Sequence, residues 1–163
     1  VYKVQKKEIR DKFQALQKIE FEPEEKPIYL TGEKHYKGFL IVAFENGKVA
    51  KIAMESFKTD YNRKKLKNAF NSESGLIYIE LIEHDIDLVT VSSIKKVVLF
   101  NTVHINPVER RTTKGVEVMK QKTGSSMITV KRAEHTKLVE PEYYRKSESL
   151  NVVGYYLKQG DEI

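Results

Sequence analysis

Two clusters of basic residues stand out as the part of this 163-residue chain best suited to chemistry. They span residues 61–67 and 109–115. Lysine and arginine neutralise phosphates and release counterions, while Asn62, Thr112, Thr113 and backbone amides can position them. The clusters therefore indicate an interface for a phosphate backbone, although a solvated cationic surface is the plainer interpretation of any single lysine run.

No residue pattern predicts a catalytic or metal site. The chain has no cysteine, which excludes disulfides, thiolate metal sites and cysteine nucleophiles. The four histidines lack metal-ligand spacing, and His84 and its acidic neighbours lack the glycine and terminal glutamate of a calcium loop. No GxSxG motif occurs, and the serine pairs have no nearby histidine and acid. The sequence KTGS at 122–125 lacks the upstream glycine of a phosphate loop and predicts a hairpin turn.

The net charge of +6 is distributed in blocks. Residues 48–70 and 95–123 each carry +5, whereas residues 71–89 carry −5. Such alternation indicates a folded surface with basic and acidic faces. The acidic stretch 73–87 supports an alternative function, a protein-interaction module that contacts a basic partner. No apolar run approaches the roughly 20 residues of a membrane span, so no membrane partner is expected.

Short apolar runs separated by turn residues predict β-strands. These runs cover residues 39–44, 49–53, 76–82, 88–91, 97–100 and 127–130. Asn46-Gly47 predicts a tight hairpin in which both residues adopt positive φ. Ile9, Phe13 and Leu16 indicate a short helix over residues 5–20, followed by a linker, FEPEEKP. The nine tyrosines and seven phenylalanines fall mostly in strand runs, so they are expected in the core and single-strand binding is not favoured.

A shift of 48 residues aligns the chain with itself. It places Leu40 on Leu88, Lys48 on Lys96 and Arg63 on Arg111. Repeats of this length with short strands are typical of propeller blades, and equal offsets predict that both basic clusters lie on one rim. The predicted organisation is a partial blade and linker over residues 1–26, blades over 27–75 and 76–134, and closing strands over 135–163. The absence of an initiator methionine and of a signal core suggests that the chain is one fragment of a longer protein.

The segments GFLIVAFENGKVAKIAMESFKTDYNRKKLKNAF and KKVVLFNTVHINPVERRTTKGVEVMK resemble the C-terminal domain of the A subunit of bacterial type IIA topoisomerases, gyrase and topoisomerase IV, in particular divergent clostridial-type members. The matched blocks cover residues 27–132. The resemblance implies an all-β fold, a β-pinwheel of propeller-like antiparallel blades, here a truncated array. It also implies a rim that binds and bends duplex DNA and guides it to strand passage.

The resemblance further implies that catalysis, ATP and magnesium belong to the parent enzyme, in the remainder of the A subunit and in the B subunit, so no cofactor is expected in this fragment. A bacterial cytoplasmic, nucleoid-associated location is implied as well. The expected DNA-binding residues are thirteen of the fourteen cations of the two basic segments: Lys48, Lys51, Lys58, Arg63, Lys64, Lys65, Lys67, Lys96, Arg110, Arg111, Lys114, Lys120 and Lys122. Arg63, Lys64, Lys65 and Lys67 lie where gyrases hold a QRRGGKG box. Residues 61–70 lack the glycine pair of that box, so gyrase-type wrapping and a topoisomerase-IV-like role are both open.

Overall fold

The computed structural model describes residues 19–32, 35–59, 65–147 and 149–163. The helix expected over residues 5–20 lies almost wholly outside these ranges, and the linker residues 21–27 form a turn without helix or strand. The described residues are nearly all β-structure, with one short α-helix, α1 (Pro141–Tyr144), and three 3-10 turns. The strands are β1 (Phe39–Phe44), β2 (Lys48–Ala53), β3 (Leu76–Ile82), β4 (Asp87–Ser92), β5 (Lys96–Asn101), β6 (Val116–Glu117), β7 (Met127–Arg132), β8 (Arg145–Lys146) and β9 (Tyr155–Tyr156). All six strands predicted from apolar runs are confirmed.

The hairpin β1–β2 forms at the predicted turn, but with a different backbone. The amide of Gly47 donates to the carbonyl of Phe44 at 3.0 Å, and Gly47 has φ +82°. The expectation of positive φ is wrong for Asn46, whose side-chain oxygen instead accepts a hydrogen bond from the amide of Lys48 at 3.2 Å. The loop is therefore longer than a two-residue turn, with its single left-handed position filled by glycine.

The 48-residue repeat holds through both hairpins. Strands β4 and β5 begin 48 residues after β1 and β2 and have the same lengths. Lys95 occupies the position of Gly47 and adopts φ +59°, while its amide donates to the carbonyl of Ser92 at 2.9 Å. The second turn therefore keeps the geometry of the first even though it lacks the glycine that makes this conformation inexpensive.

Each hairpin is the centre of its own sheet. The first sheet has the order β3-β1-β2-β6, and the second has the order β7-β4-β5-β8 with β9 also paired to β5. The predicted boundary between the two blades lies between residues 75 and 76. Strand β3 follows this boundary in sequence, yet it pairs with β1 and not with the second hairpin. Strand β6, which follows the second hairpin in sequence, likewise pairs with β2 of the first sheet.

Glycines permit the outer strands to approach closely. A Cβ atom on Gly115, which precedes β6, would lie 2.7 Å from the carbonyl oxygen of Val49. A Cβ on Gly154, which precedes β9, would lie 2.5 Å from that of Val97, the repeat equivalent of Val49. Both glycines have positive φ, so the same device closes the outer edge of both sheets.

Both sheets are apolar on both faces, which explains why their strands read as nearly continuous apolar runs. Between the sheets, Ile41 and Val49 of the first pack in one cluster with Leu88 and Phe100 of the second. The opposite face of the first sheet is covered by a cluster that includes Phe57 and the segment after it. The opposite face of the second sheet packs against Tyr144. The apolar side chains between the sheets are thus buried.

Candidate nucleic-acid interface

The outer edge of the first sheet is formed by one segment, residues 108–122. It starts at Val108, whose amide donates to the carbonyl of Lys51 and whose carbonyl accepts from the amide of Ala53, both at 2.9 Å. A loop over 109–115 follows, anchored where the side-chain amide of Asn71 donates to the carbonyl of Thr112 at 3.2 Å. Strand β6 then pairs with β2. Because this edge lies opposite β3, the segment is a rim of the sheet.

Five of the expected DNA-binding cations lie on this rim segment: Arg110, Arg111, Lys114, Lys120 and Lys122. Arg110 is exposed and donates from Nε to the hydroxyl of Thr112 at 3.2 Å. The guanidinium of Arg111 lies 6.0 Å from the centre of the Phe57 ring. The ammonium of Lys114 pairs with Glu73 at 2.7 Å, in a contact that water screens because both side chains are more than half exposed.

The rim segment ends between the two hairpin tips. The amides of Val118 and Met119 donate to the carbonyl of Gly47 at 3.0 and 3.1 Å. At the second tip, the amide of Ser93 donates to the carbonyl of Ser126 at 2.8 Å. Lys120 and Lys122 are exposed on this crossing.

Each hairpin carries one further expected cation, at the start of its second strand. Lys48 opposes Glu117 of β6, and Lys96 opposes Tyr156 of β9. Among the described residues, no ion pair is formed by Lys48, Lys96, Arg110, Arg111, Lys120 or Lys122. These six cations can therefore approach a phosphate without first breaking a carboxylate contact.

Lys51, also expected on the rim, is instead only 5% exposed. It lies on the same face of β2 as Val49, so it points toward the second sheet. Its ammonium contacts Asp85 at 2.6 Å, and Thr102 donates to the same carboxylate oxygen at 2.7 Å. Burial alone would raise the pKa of Asp85, but the hydrogen bonds from Lys51 and Thr102 outweigh it and hold the pKa below its ordinary value. Lys51 therefore links β2 to the connection between β3 and β4 from inside the molecule and is not part of the rim surface.

The first basic cluster is described only in part. Arg63 and Lys64 lie outside the described residues. Lys65 pairs with Glu25 at 2.7 Å, and Lys67 is exposed. Outside this cluster, Lys58 pairs with Glu55 at 3.2 Å.

The 48-residue equivalence weakens at the clusters. Leu66 is buried at 5% exposure in the cluster around Phe57, whereas the side chain of its equivalent, Lys114, is 63% exposed. Equal offsets in sequence therefore do not give equal surroundings here. The prediction that both clusters lie on a single rim remains a prediction.

The acidic stretch 71–89 is largely occupied by contacts within the chain. Four of its five carboxylates form ion pairs: Glu73 with Lys114, Glu80 with Arg132, Asp85 with Lys51 and Asp87 with Arg145. The pKa of Asp87 lies below its ordinary value, chiefly because Arg145 donates to it and Asn101 adds a second hydrogen bond, while burial opposes the shift. An acidic docking face for a basic protein thus retains few free carboxylates.

Three exposed tyrosines form a surface that the sequence reading missed. Tyr143, Tyr155 and Tyr156 are 40%, 38% and 62% exposed, although aromatic side chains were expected mostly in the core. The 48-residue shift gives no signal for them, because GYY at 154–156 follows GVE at 115–117 by 39 residues. Only the pairing with β5 shows that GYY takes the place on the second sheet that GVE has on the first.

No three histidine, aspartate or glutamate side chains come together as metal ligands within the residues described. In the same residues, no helix has the length and apolarity to cross a bilayer.

The fold defined by these two sheets is the β-pinwheel of the C-terminal domains of type IIA topoisomerase subunits, as the resemblance implied. Among solved structures, the C-terminal domain of DNA topoisomerase IV superposes with a TM-score of 0.64 at 14% identity, covering 81% of this chain and 46% of that one. The DNA gyrase A C-terminal domain gives 0.62 at 17% identity, covering 93% and 54%. The E. coli ParC C-terminal domain gives 0.63 at 12% identity, covering 89% and 65%.

The chain thus spans about half to two thirds of the length of these neighbours. At such identities the likeness establishes the fold. No protein-family model matches the sequence, and no curated protein is found as a relative.

Proposed function

We propose that this chain is a duplex-binding and duplex-bending domain of a bacterial type IIA topoisomerase A subunit, which guides DNA to ATP-dependent strand passage. The observation that carries the proposal is the rim segment 108–122, which places five cations along the outer edge of a pinwheel sheet. The fold shared with gyrase and topoisomerase IV C-terminal domains supports the same function.

The proposed mechanism is electrostatic. Each phosphate neutralised by a rim cation releases condensed counterions, which favours binding at low salt. Backbone amides and the hydroxyl of Thr112 beside Arg110 can fix the register without reading sequence. A duplex that contacts the edges of both sheets must bend around the domain. Bending costs on the order of 1–6 kcal/mol, which the phosphate contacts have to offset.

Chemistry is assigned elsewhere in the proposed assembly. Strand cleavage, ATP and magnesium would belong to the remainder of the A subunit and to the B subunit, which are the proposed partners of this domain. No tyrosine of this chain is given a catalytic role. The proposed assembly acts on DNA in the bacterial cytoplasm.

The test compares two triple charge reversals that change the net charge equally. The rim variant is Arg110→Glu, Lys120→Glu and Lys122→Glu; the control variant reverses three other exposed lysines, Lys37, Lys131 and Lys137. Binding of a labelled duplex is titrated at several salt concentrations by fluorescence anisotropy. With about six phosphates neutralised, wild-type affinity should fall on the order of 10³-fold between about 50 and 200 mM salt.

The rim variant should lose about three units of the slope of log affinity against log salt, whereas the control should lose less than about one. Equal losses in both variants would show that net charge, not the rim, drives binding. Binding that does not depend on salt would remove the mechanism altogether. Unfolding midpoints of all three proteins establish that the reversals leave the fold intact.

Bending is tested separately with a relaxed, nicked plasmid that is sealed by ligase in the presence of the domain. Binding that wraps the duplex with one hand should shift the linking-number distribution, and the sign of the shift distinguishes gyrase-type wrapping from the opposite hand. The rim variant should leave the distribution where it lies without protein. If wild type binds tightly but produces no shift, chiral wrapping is excluded while duplex binding stands.

A further inference from the structure

An exposed cluster of tyrosines and lysines lies on the outer edge of the second sheet. The ammonium of Lys96 lies 3.4 Å from the centre of the Tyr156 ring, and that of Lys146 lies 4.5 Å from the centre of the Tyr155 ring. The centre of the Tyr155 ring is in turn 4.7 Å from that of Tyr143. Together with Lys158, which lies 4.0 Å from the centre of the Tyr143 ring, these residues form what we call the tyrosine–lysine patch.

The fold explains why this patch is exposed. Strand β9 pairs with β5 at the edge of its sheet, as β6 does with β2, and Gly154 repeats the close approach of Gly115. Successive strand residues point to opposite faces, so β9 presents one ring on each side of the edge. Val116 and Glu117 hold the corresponding places on the first sheet, and the two edges therefore differ in chemistry while sharing a backbone design.

The rings retain accessible surface despite their contacts. Lys96 covers one face of Tyr156, yet this residue is 62% exposed and can offer its other face. Tyr143 and Tyr155 each keep about two fifths of their surface in solvent. An aromatic ring accepts the face of any base, and an adjacent ammonium binds the phosphate of the same nucleotide.

From this geometry we infer that the tyrosine–lysine patch binds unpaired bases, so that the domain prefers DNA containing a melted or unstacked stretch to a continuous duplex. The inference rests on the proposed function and deepens it, since Lys96 is one of the cations expected to bind DNA. Two of the ring–ammonium pairs, Lys96–Tyr156 and Lys146–Tyr155, have an ammonium that forms no ion pair among the described residues. These two pairs favour a nucleotide chain over a protein partner, because each can meet the base and the phosphate of one unit. The ammonium of Lys158 is already paired with Glu140 at 2.6 Å.

The experiment measures the affinity of the whole chain for two labelled probes of about 30 base pairs, one fully paired and one with a central bubble of about six unpaired positions. Wild type should bind the bubble at least about fivefold more tightly, the gain expected from stacking a single base. The double variant Tyr155→Leu/Tyr156→Leu should bind both probes equally and keep its duplex affinity within about twofold.

Two further variants separate stacking from other effects. Tyr155→Phe/Tyr156→Phe keeps the rings, so it should retain the bubble preference. Tyr29→Leu removes a comparably exposed tyrosine that contacts β3, on the opposite edge of the first sheet, and should behave as wild type. Thermal unfolding of each variant verifies that the fold is retained.

Equal wild-type affinity for the two probes would overturn the inference while leaving duplex binding intact, and would point to a protein-docking patch. A bubble preference that survives in the leucine variant would overturn it too, because duplex flexibility would then be the cause. Loss of duplex affinity in parallel with bubble affinity would assign the patch to the duplex surface and likewise refute base stacking. Failure to bind either probe would overturn the proposed function itself.

Discussion

Replacing Lys51 by methionine should destabilise the domain without weakening DNA binding. Methionine keeps the apolar stem but removes the ammonium that contacts Asp85 at 2.6 Å. Removing one partner of a fully buried ion pair costs about 3–5 kcal/mol. The Asp85 side chain is one third exposed and keeps the hydrogen bond from Thr102. In the variant, water and Thr102 therefore still solvate the carboxylate, which reduces the cost. We therefore expect a loss of about 2 kcal/mol.

Urea unfolding followed by fluorescence or circular dichroism measures this loss. With a slope near 2 kcal/mol per molar urea, the midpoint should fall by about 1 M while the slope stays constant. Asp85→Asn tests the same contact from the other side. The double variant should cost less than the sum of the two single changes, because the second change removes a contact that is already broken.

The ionisation of Asp85 makes the free energy of unfolding depend on pH, and its depressed pKa fixes the direction of that dependence. The folded-state pKa of Asp85 is depressed, so its contribution to stability is complete above the unfolded pKa of about 4 and is lost as pH falls through the folded value. Lys51→Met should flatten this acid limb.

Lys48→Met is the matched control, since Lys48 lies on the opposite face of the same strand and forms no ion pair among the described residues. It should leave the urea midpoint nearly unchanged and reduce the salt slope of DNA binding by up to about one unit. If Lys51→Met instead weakened DNA binding while the midpoint held, Lys51 would reach a phosphate and the reasoning from burial would be refuted.

Two further predictions concern the second sheet. Burial and its hydrogen bond to Asp161 raise the pKa of Tyr144 to about 12. Roughly 3 kcal/mol of stability is therefore present below pH 10 and is lost as pH rises toward 12. The stability of Tyr144→Phe to unfolding should depend less on pH in that range. Gly154→Ala should destabilise far more than Gly124→Ala in urea titrations. Both glycines have positive φ, but only the first would bring a Cβ into contact with the carbonyl of Val97. Equal losses at the two glycines would assign the whole effect to φ.

The long strands could be predicted from sequence because both faces of each sheet are covered. Residues 39–44 and 97–100 then become continuous apolar runs, and a run bounded by turn residues identifies a strand. The hairpin at Asn46-Gly47 was predictable for a related reason, since glycine supplies the left-handed position. The detailed turn was not, because Asn46 can serve equally well as a hydrogen-bond acceptor outside that conformation.

The outer strands could not be predicted in the same way. Strands β6, β8 and β9 have two residues each, and long-range pairing with β2 or β5, not a local pattern, makes them strands. The glycine before β6 and the glycine before β9 are the one local trace of this pairing, and their role becomes visible only beside the carbonyls they approach.

The site was predictable as a set of charges but not as a surface. Charge counting treats Lys48 and Lys51 alike, yet the alternation of β2 places them on opposite faces of the sheet. Lys48 lies on the face that the Phe57 cluster covers, and Lys51 lies between the sheets. The same counting predicted an acidic face over residues 71–89. Most of those carboxylates instead form ion pairs within the chain, with Lys51, Lys114, Arg132 and Arg145. Burial and pairing, which depend on distant segments, decided both cases.

The way each sheet is closed also separates the two proposed modes of DNA contact. The first sheet is completed by 108–122, which brings cations, and the second by 145–156, which brings tyrosines beside lysines. Phosphate contacts depend on salt, whereas stacking on a ring does so far less. Reversing Arg110, Lys120 and Lys122 should therefore lower the salt slope of binding but preserve the ratio of bubble to duplex affinity. Removing the tyrosine rings should instead lower that ratio and preserve the salt slope. If either change altered both quantities together, the two edges would form one inseparable surface.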